Sequence, residues 1–184
     1  MKRSRFPGAI APVTTLGEFP MTYHKILVAI DRSPQSDFVI NQVIDLAEKE
    51  KAELMLFHAI QVEVLAELSP MVGTGMGLSP SIGREIPELQ QQRLEAQVRT
   101  TKEILQGYAE MAMTRNIPTI CHHSVGDPGV LSCELAKSWG ANLIVVGRRG
   151  RKGMTELFLG SVSNYITHNA PCSVLIVQGA LPVS

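Results

Sequence analysis

The chain has 184 residues, and 17 Lys and Arg balance 17 Asp and Glu, so its formal net charge is zero. That balance excludes a global electrostatic pull toward nucleic acid or an anionic membrane and leaves any such role to a local patch. Hydrophobic residues make up 45% and charged residues 18%, a globular composition, and no apolar run approaches the ~18 residues of a membrane-spanning helix.

Residues 1–22 open on a basic stretch, Met1-Lys-Arg-Ser-Arg5, and continue with three prolines and two glycines between Phe6 and Pro20. They lack the apolar stretch of a secretory signal and are expected to be a flexible N-terminal extension to a single domain over 23–180. Cys121, Cys133 and Cys172 are odd in number and form no Cys-x-x-Cys pair. That pattern argues against a disulfide framework and fits a reducing compartment, so a cytoplasmic protein is expected.

Lys25-Ile-Leu-Val-Ala-Ile-Asp31 is a nearly continuous apolar run ending in an acid, the pattern of a strand buried on both faces. Ser33 and Pro34 supply an expected N-cap and first-turn proline. Val39, Ile40, Val43, Ile44 and Ala47 then repeat at helical spacing, and Glu48 to Lys51 close the helix. Leu54 to Ile60 predicts a second strand. Residues 61–87, with glycines at 73, 75 and 77 and prolines at 70, 80 and 87, are expected to form a long variable loop. From Glu88 the spacing of Leu94, Val98, Thr101, Leu105, Tyr108 and Ala112 predicts a helix. A strand over Thr119–Val125, a helix opened by Asp127-Pro128 and a strand over Asn142–Val146 follow. A glycine-rich loop, a helix near Leu157–Asn169 and a last strand over Ser173–Val177 complete the series.

Strict strand–helix alternation implies an α/β fold: a doubly wound parallel sheet with helices on both faces. Its ligand crevice lies beyond the carboxyl ends of the strands, where strand order reverses. Asp31, Ala59, Ile60, Gly126, Asp127 and Gly147 all fall at such ends. His58 is expected to be a hydrogen-bonded core histidine and Asp127 a helix N-cap. In Cys121-His122-His123, alternation sends the two histidines to opposite faces of a strand, so no metal site is expected there. Cys133 and Cys172 are expected to be small core residues.

The loop after the fourth strand carries the chemistry. In Gly147-Arg-Arg-Gly150-Arg-Lys-Gly153 and Gly160-Ser161-Val-Ser163, glycines let backbone approach an anion closely. The N–H groups of the helix opened by Gly160-Ser161 favour negative charge. The Ser161 and Ser163 hydroxyls can donate to phosphate oxygens, and Arg148, Arg149, Arg151 and Lys152 add local positive charge. The stretch is neither a Walker A loop nor a Rossmann fingerprint. Without interleaved aromatics or a wider basic face it does not predict nucleic-acid binding.

Gly147-x-x-Gly150, nine residues, then Gly160-Ser161 resembles the G-2x-G-9x-G-(S/T) signature of the universal stress protein family. Similar segments flank it in the same order: Lys25 to Asp31 with Ser33, Leu56-Phe-His-Ala59, Val125-Gly-Asp-Pro128 and Ala170-Pro-Cys-Ser-Val-Leu-Ile-Val177. The resemblance covers roughly 24–178. It implies a five-stranded sheet of order 3-2-1-4-5, similar to the adenine nucleotide alpha hydrolase fold, holding ATP or AMP, with or without Mg²⁺, at its carboxyl edge. Asp31, Ser33 and Ala59 would then lie beside adenine and ribose. Gly147, Gly150, Gly160, Ser161, Val162 and Ser163 would surround ribose and phosphates; beside them, on the reading of the residues themselves, Gly126 is expected at the pocket and Arg148 and Arg149 as positive charge for the phosphates. It further implies a regulatory, stress-response homodimer pairing through Ser173–Val177, with a regulatory protein partner. The alternatives are a slow ATPase or autophosphorylating enzyme using Asp31, and a nucleotide-independent interaction module docking a partner through the 61–87 loop.

Overall fold

The computed structural model describes residues 23–61, 82–148 (82–87 as backbone) and 159–178. The expected N-terminal extension, most of the long loop, and Arg149 and Gly150 lie outside the described residues. The elements alternate in chain order: β1 (Lys25–Ala29), α1 (Ser36–Glu50), β2 (Glu53–Ile60), α2 (Ile82–Met113), β3 (Thr119–Val125), α3 (Pro128–Trp139), β4 (Leu143–Gly147), α4 (Ser161–Asn169) and β5 (Ser173–Val177).

The strands form one parallel sheet of order β3-β2-β1-β4-β5, the order expected from the resemblance. The continuous apolar runs have a simple cause. On each central strand, alternate side chains enter two different cores, because successive residues point to opposite faces. Ile26 and Val28 of β1, Leu54 and Leu56 of β2, and Leu143 and Val145 of β4 meet Val39, Ile40, Val43, Ile44 and Ala47 of α1 and Leu105, Ala109 and Ala112 of α2. Leu27, Met55, Phe57, Ile144 and Val146 face the other way, onto Ala136 of α3 and Ile166 of α4. Burying each Val, Leu, Ile, Met or Phe among them stabilises the fold by about 1.5–3 kcal/mol.

Three local expectations are corrected. Ser33 is not the N-cap of α1: the helix starts at Ser36 after Gln35, and Ser33 and Pro34 belong to a preceding turn in which the Ser36 N–H donates to the Ser33 carbonyl, 3.1 Å. The turn is organised around Asp31 instead, so the hydroxyl that a sequence pattern assigns to the helix serves the crossover. Second, α2 reaches back to Ile82, six residues into the expected loop, with Pro87 inside it; Gly83 and Pro87 conceal the helix by propensity. Third, α4 begins at Ser161 and not near Leu157, in line with the reading of Gly160-Ser161 as its opening, and the chain at Gly160 is extended (φ −62°, ψ 155°). The expected Asp127 N-cap holds: its Oδ1 accepts from the N–H groups of Gly129 and Val130, both at 2.9 Å.

Candidate functional site

After β1 the chain passes to α1 on one face of the sheet. After the neighbouring β4 it passes to α4 on the other face. That divergence opens a crevice of about 520 Å³ over the strand ends, inside the range of about 300–1,000 Å³ usual for small-ligand sites. Asp31, Ser33, Ala59, Gly147, Gly160, Ser161, Val162 and Ser163 line it together, although they come from four separate stretches of chain.

One wall is the turn from β1 to α1. Asp31 Oδ1 accepts from the Ser33 N–H and from Ser36 Oγ, both at 3.0 Å, and Ser36 Oγ also lies 2.7 Å from the Asp31 carbonyl. One carboxylate oxygen is therefore committed to holding the turn. Next to it His58 is 9% exposed and its Nδ1 donates to the carbonyl of Ile30 at 2.8 Å, as expected for a core histidine.

The opposite wall is the start of α4. The Gly160 N–H donates to the carbonyl of Arg148 at 2.9 Å, and Ser163 Oγ lies 3.1 Å from that same oxygen and 3.0 Å from the Gly160 carbonyl. The single Ser163 proton is thus spent on backbone. With the residue 1% exposed, Ser163 ties the start of the helix to the end of β4 while lining the crevice. Ser161, by contrast, is exposed at the mouth. Among the described residues no side chain caps α4, so its first N–H groups keep the partial positive charge of a helix N-terminus.

Two expected residues do not line the crevice among the described residues. Gly126 (φ +147°) makes the bend from β3 into the Asp127 cap, its N–H donating to the Ile60 carbonyl at 3.0 Å. An added Cβ there would sit 3.1 Å from Leu131 Cδ1, and the backbone conformation itself favours glycine. Arg148 contributes through its carbonyl, while its Nη1 donates to Gln178 Oε1 at 3.0 Å, beyond the end of β5.

Other lining residues escaped the sequence reading: Arg32, Gln35 and Ser36 beside Asp31, Gln97 and Thr101 on α2, and Pro128 and Ser132 on α3. The first group could have been found from its adjacency to Asp31. Thr101 had a signal pointing elsewhere, since its place in the Leu94–Ala112 spacing reads as core. Tyr108 ties α2 to the first turn of α1, donating from its hydroxyl to Asp37 Oδ1 at 2.6 Å; burial and the Asp37 carboxylate hold its proton on well above the ordinary tyrosine range.

Cys121-His122-His123 splits across the sheet as expected. His122 faces Phe57 with ring centroids 6.0 Å apart, and Cys121 Sγ lies 3.4 Å from the Leu105 carbonyl on α2. Among the described residues no group of three or more His, Cys, Asp or Glu could hold a metal ion, and no helix is long and apolar enough to cross a membrane. Burial pushes all three thiols upward in pKa, the opposite of a reactive cysteine.

A family model described as the universal stress protein family matches residues 22–178. This chain belongs to that family. The universal stress protein Sll1388 of Synechocystis is 38% identical over 162 residues, spanning 86% of this chain and 99% of that protein. Among solved structures, the hypothetical protein MJ0577 superimposes with a TM-score of 0.69 at 19% identity, covering 87% of this universal stress protein and 99% of the other. A universal stress protein family member of Arabidopsis thaliana, solved with AMP bound, superimposes with a TM-score of 0.55 at 14% identity, covering 87% and 94%. At such identities these two likenesses establish the shared fold.

Proposed function

We propose that this universal stress protein binds an adenine nucleotide, ATP or AMP, in the crevice and acts as a regulatory protein whose conformation reports the bound ligand. The observation that carries this reading is the contrast between two helix starts. Helix α3 meets the crevice with its N–H groups already satisfied by Asp127. Helix α4 meets it, behind a glycine, with none satisfied by a side chain among the described residues. Such an N-terminus in the wall of a ligand-sized crevice is suited to phosphate. Strands β4 and β2 stand two inter-strand spacings apart, roughly 10 Å, so a phosphate at α4 leaves the base near the ends of β1 and β2, beside Asp31 and Ala59. The AMP bound by the Arabidopsis relative supports adenine as the base.

The decisive experiment is to heat-denature freshly purified protein, identify any released nucleotide by chromatography and mass, and measure melting with AMP, ADP and ATP. A bound nucleotide at one hundred times its Kd stabilises the fold by about 2.7 kcal/mol. Absence of both release and shift would overturn the reading.

We infer in addition that two copies pair through β5. This strand lies at the edge of the sheet, and Leu175 on it is 41% exposed. An unpaired apolar edge favours strand-to-strand association. Leu175→Lys is expected to convert a dimer to a monomer in sedimentation; an unchanged mass for both proteins would refute the interface.

A further inference from the structure

Thr100 and Thr101 are neighbours on α2 with opposite fates. Thr100 Oγ1 donates to the carbonyl of Ala96 at 3.1 Å, the back-bond that a mid-helix threonine ordinarily makes. Thr101 makes no such bond. It is 2% exposed, and its hydroxyl has no partner among the described residues. A buried hydroxyl without a protein partner can offset its desolvation penalty by bonding a ligand.

The position of Thr101 allows this. It lines the crevice, and also an adjoining recess of about 10 Å³ bounded by Ile30, Asp31, His58 and Leu105. Of its polar neighbours there, His58 Nδ1 is bonded to the Ile30 carbonyl and Asp31 Oδ1 to the turn. Gln97, one turn earlier on the same helix face, lines the crevice as well. This neutral pair stands at the β1–β2 end, away from the α4 N-terminus. A hydroxyl and an amide suit the uncharged polar edge of a base, whereas a helix N-terminus suits phosphate.

Resting on the nucleotide reading above, we infer that Thr101 is a base-reading residue. Its hydroxyl forms its missing hydrogen bond with the polar edge of the bound nucleobase, after a rotation about χ1 that turns it from the recess toward the crevice.

The test compares wild type, Thr101→Val and Thr101→Ser by melting temperature without ligand and by affinity for AMP and for ribose 5-phosphate, which lacks the base. Thr101→Val is expected to melt higher than wild type by about 2–4 °C. It should bind AMP about tenfold more weakly, equivalent to 1.4 kcal/mol, and bind ribose 5-phosphate as wild type does. Thr101→Ser, which keeps the hydroxyl, should melt lower yet retain AMP affinity. Unchanged AMP affinity in Thr101→Val, or a parallel loss for ribose 5-phosphate, overturns the role of Thr101 and leaves the nucleotide site standing. A wild-type protein that takes neither ligand overturns the site reading and this inference with it.

Discussion

Ser163 Oγ lies 3.1 Å from the carbonyl oxygen of Arg148, fifteen residues earlier in the chain, and so ties the first turn of α4 to the end of β4. The Gly160 N–H shares that acceptor at 2.9 Å. Together they set where the helix N-terminus stands relative to the crevice, which a loop of glycines alone would not do. Ser163→Ala is therefore expected to cost about 1 kcal/mol of stability, lowering the melting temperature by about 2–4 °C. It should also reduce the nucleotide-induced shift, because the helix start is less firmly placed. Calorimetry with and without AMP measures both, and a full-sized AMP shift would show that the tether does not matter for binding.

Ser161 tests the anion site from the other direction. A carboxylate in the first turn of a helix stabilises it by about 0.3–1 kcal/mol, so Ser161→Asp should fold at least as stably as wild type. The same carboxylate about 4 Å from a phosphate costs about 1 to 4 kcal/mol across the dielectric range of a protein surface. The expected result is a protein with normal or raised melting temperature and little response to AMP or ATP. An undiminished response would mean that phosphate does not sit at α4.

Asp127 separates structural from ligand-binding acids. Its Oδ1 is occupied by the N–H groups of Gly129 and Val130, and the residue does not line the crevice. Asp127→Ala should lower stability by about 1 kcal/mol and leave the Kd for AMP within a factor of about two, well under the tenfold that 1.4 kcal/mol represents. Equilibrium titration of the folded variant checks this, and a large loss of affinity would reassign Asp127 to the site.

The Tyr108–Asp37 hydrogen bond predicts an alkaline effect. The folded tyrosine holds its proton to higher pH than the unfolded one, first because it is buried and then because of the Asp37 carboxylate. Below the ordinary tyrosine pKa of about 10 both states carry the proton, and the full contribution to stability is present. Above it the unfolded state alone releases the proton, so stability falls as pH rises. Tyr108→Phe should be less stable than wild type at pH 7 and lack this component of the decline between about pH 10 and 11. Denaturant unfolding across that range, compared between the two proteins, would show parallel curves if Tyr108 were uncoupled.

Most of the architecture was legible in the chain. Five apolar runs separated by helical periodicities imply a parallel sheet sandwiched by helices. The two-core packing then explains why Lys25–Ala29 and Leu143–Gly147 contain almost no polar positions. Of the residues read at strand ends, Asp31, Ala59, Ile60 and Gly147 do line the crevice, because in this topology the strand ends border it, whereas Gly126 and Asp127 do not. Gly160 to Ser163 were legible from the glycine-rich loop and the family resemblance. The start of α2 was not, since Gly83 and Pro87 weaken the local helix signal and the pattern only becomes clear at Glu88.

Tertiary structure alone decided how hydroxyls and carboxylates are spent. The sequence shows Ser33, Ser36, Ser161 and Ser163 as equivalent polar residues beside glycines and an acid. Only the fold shows Ser36 bonded to Asp31, Ser163 bonded to the Arg148 backbone, and Ser161 at the open mouth. Likewise Thr101 follows the periodicity of a core position, and only packing of α2 on β2 and β3 brings it to the crevice. Periodicity reports which face of an element is covered, because burial repeats with the backbone. Which partner a polar atom finds depends on contacts between segments far apart in the chain, and no local pattern encodes that.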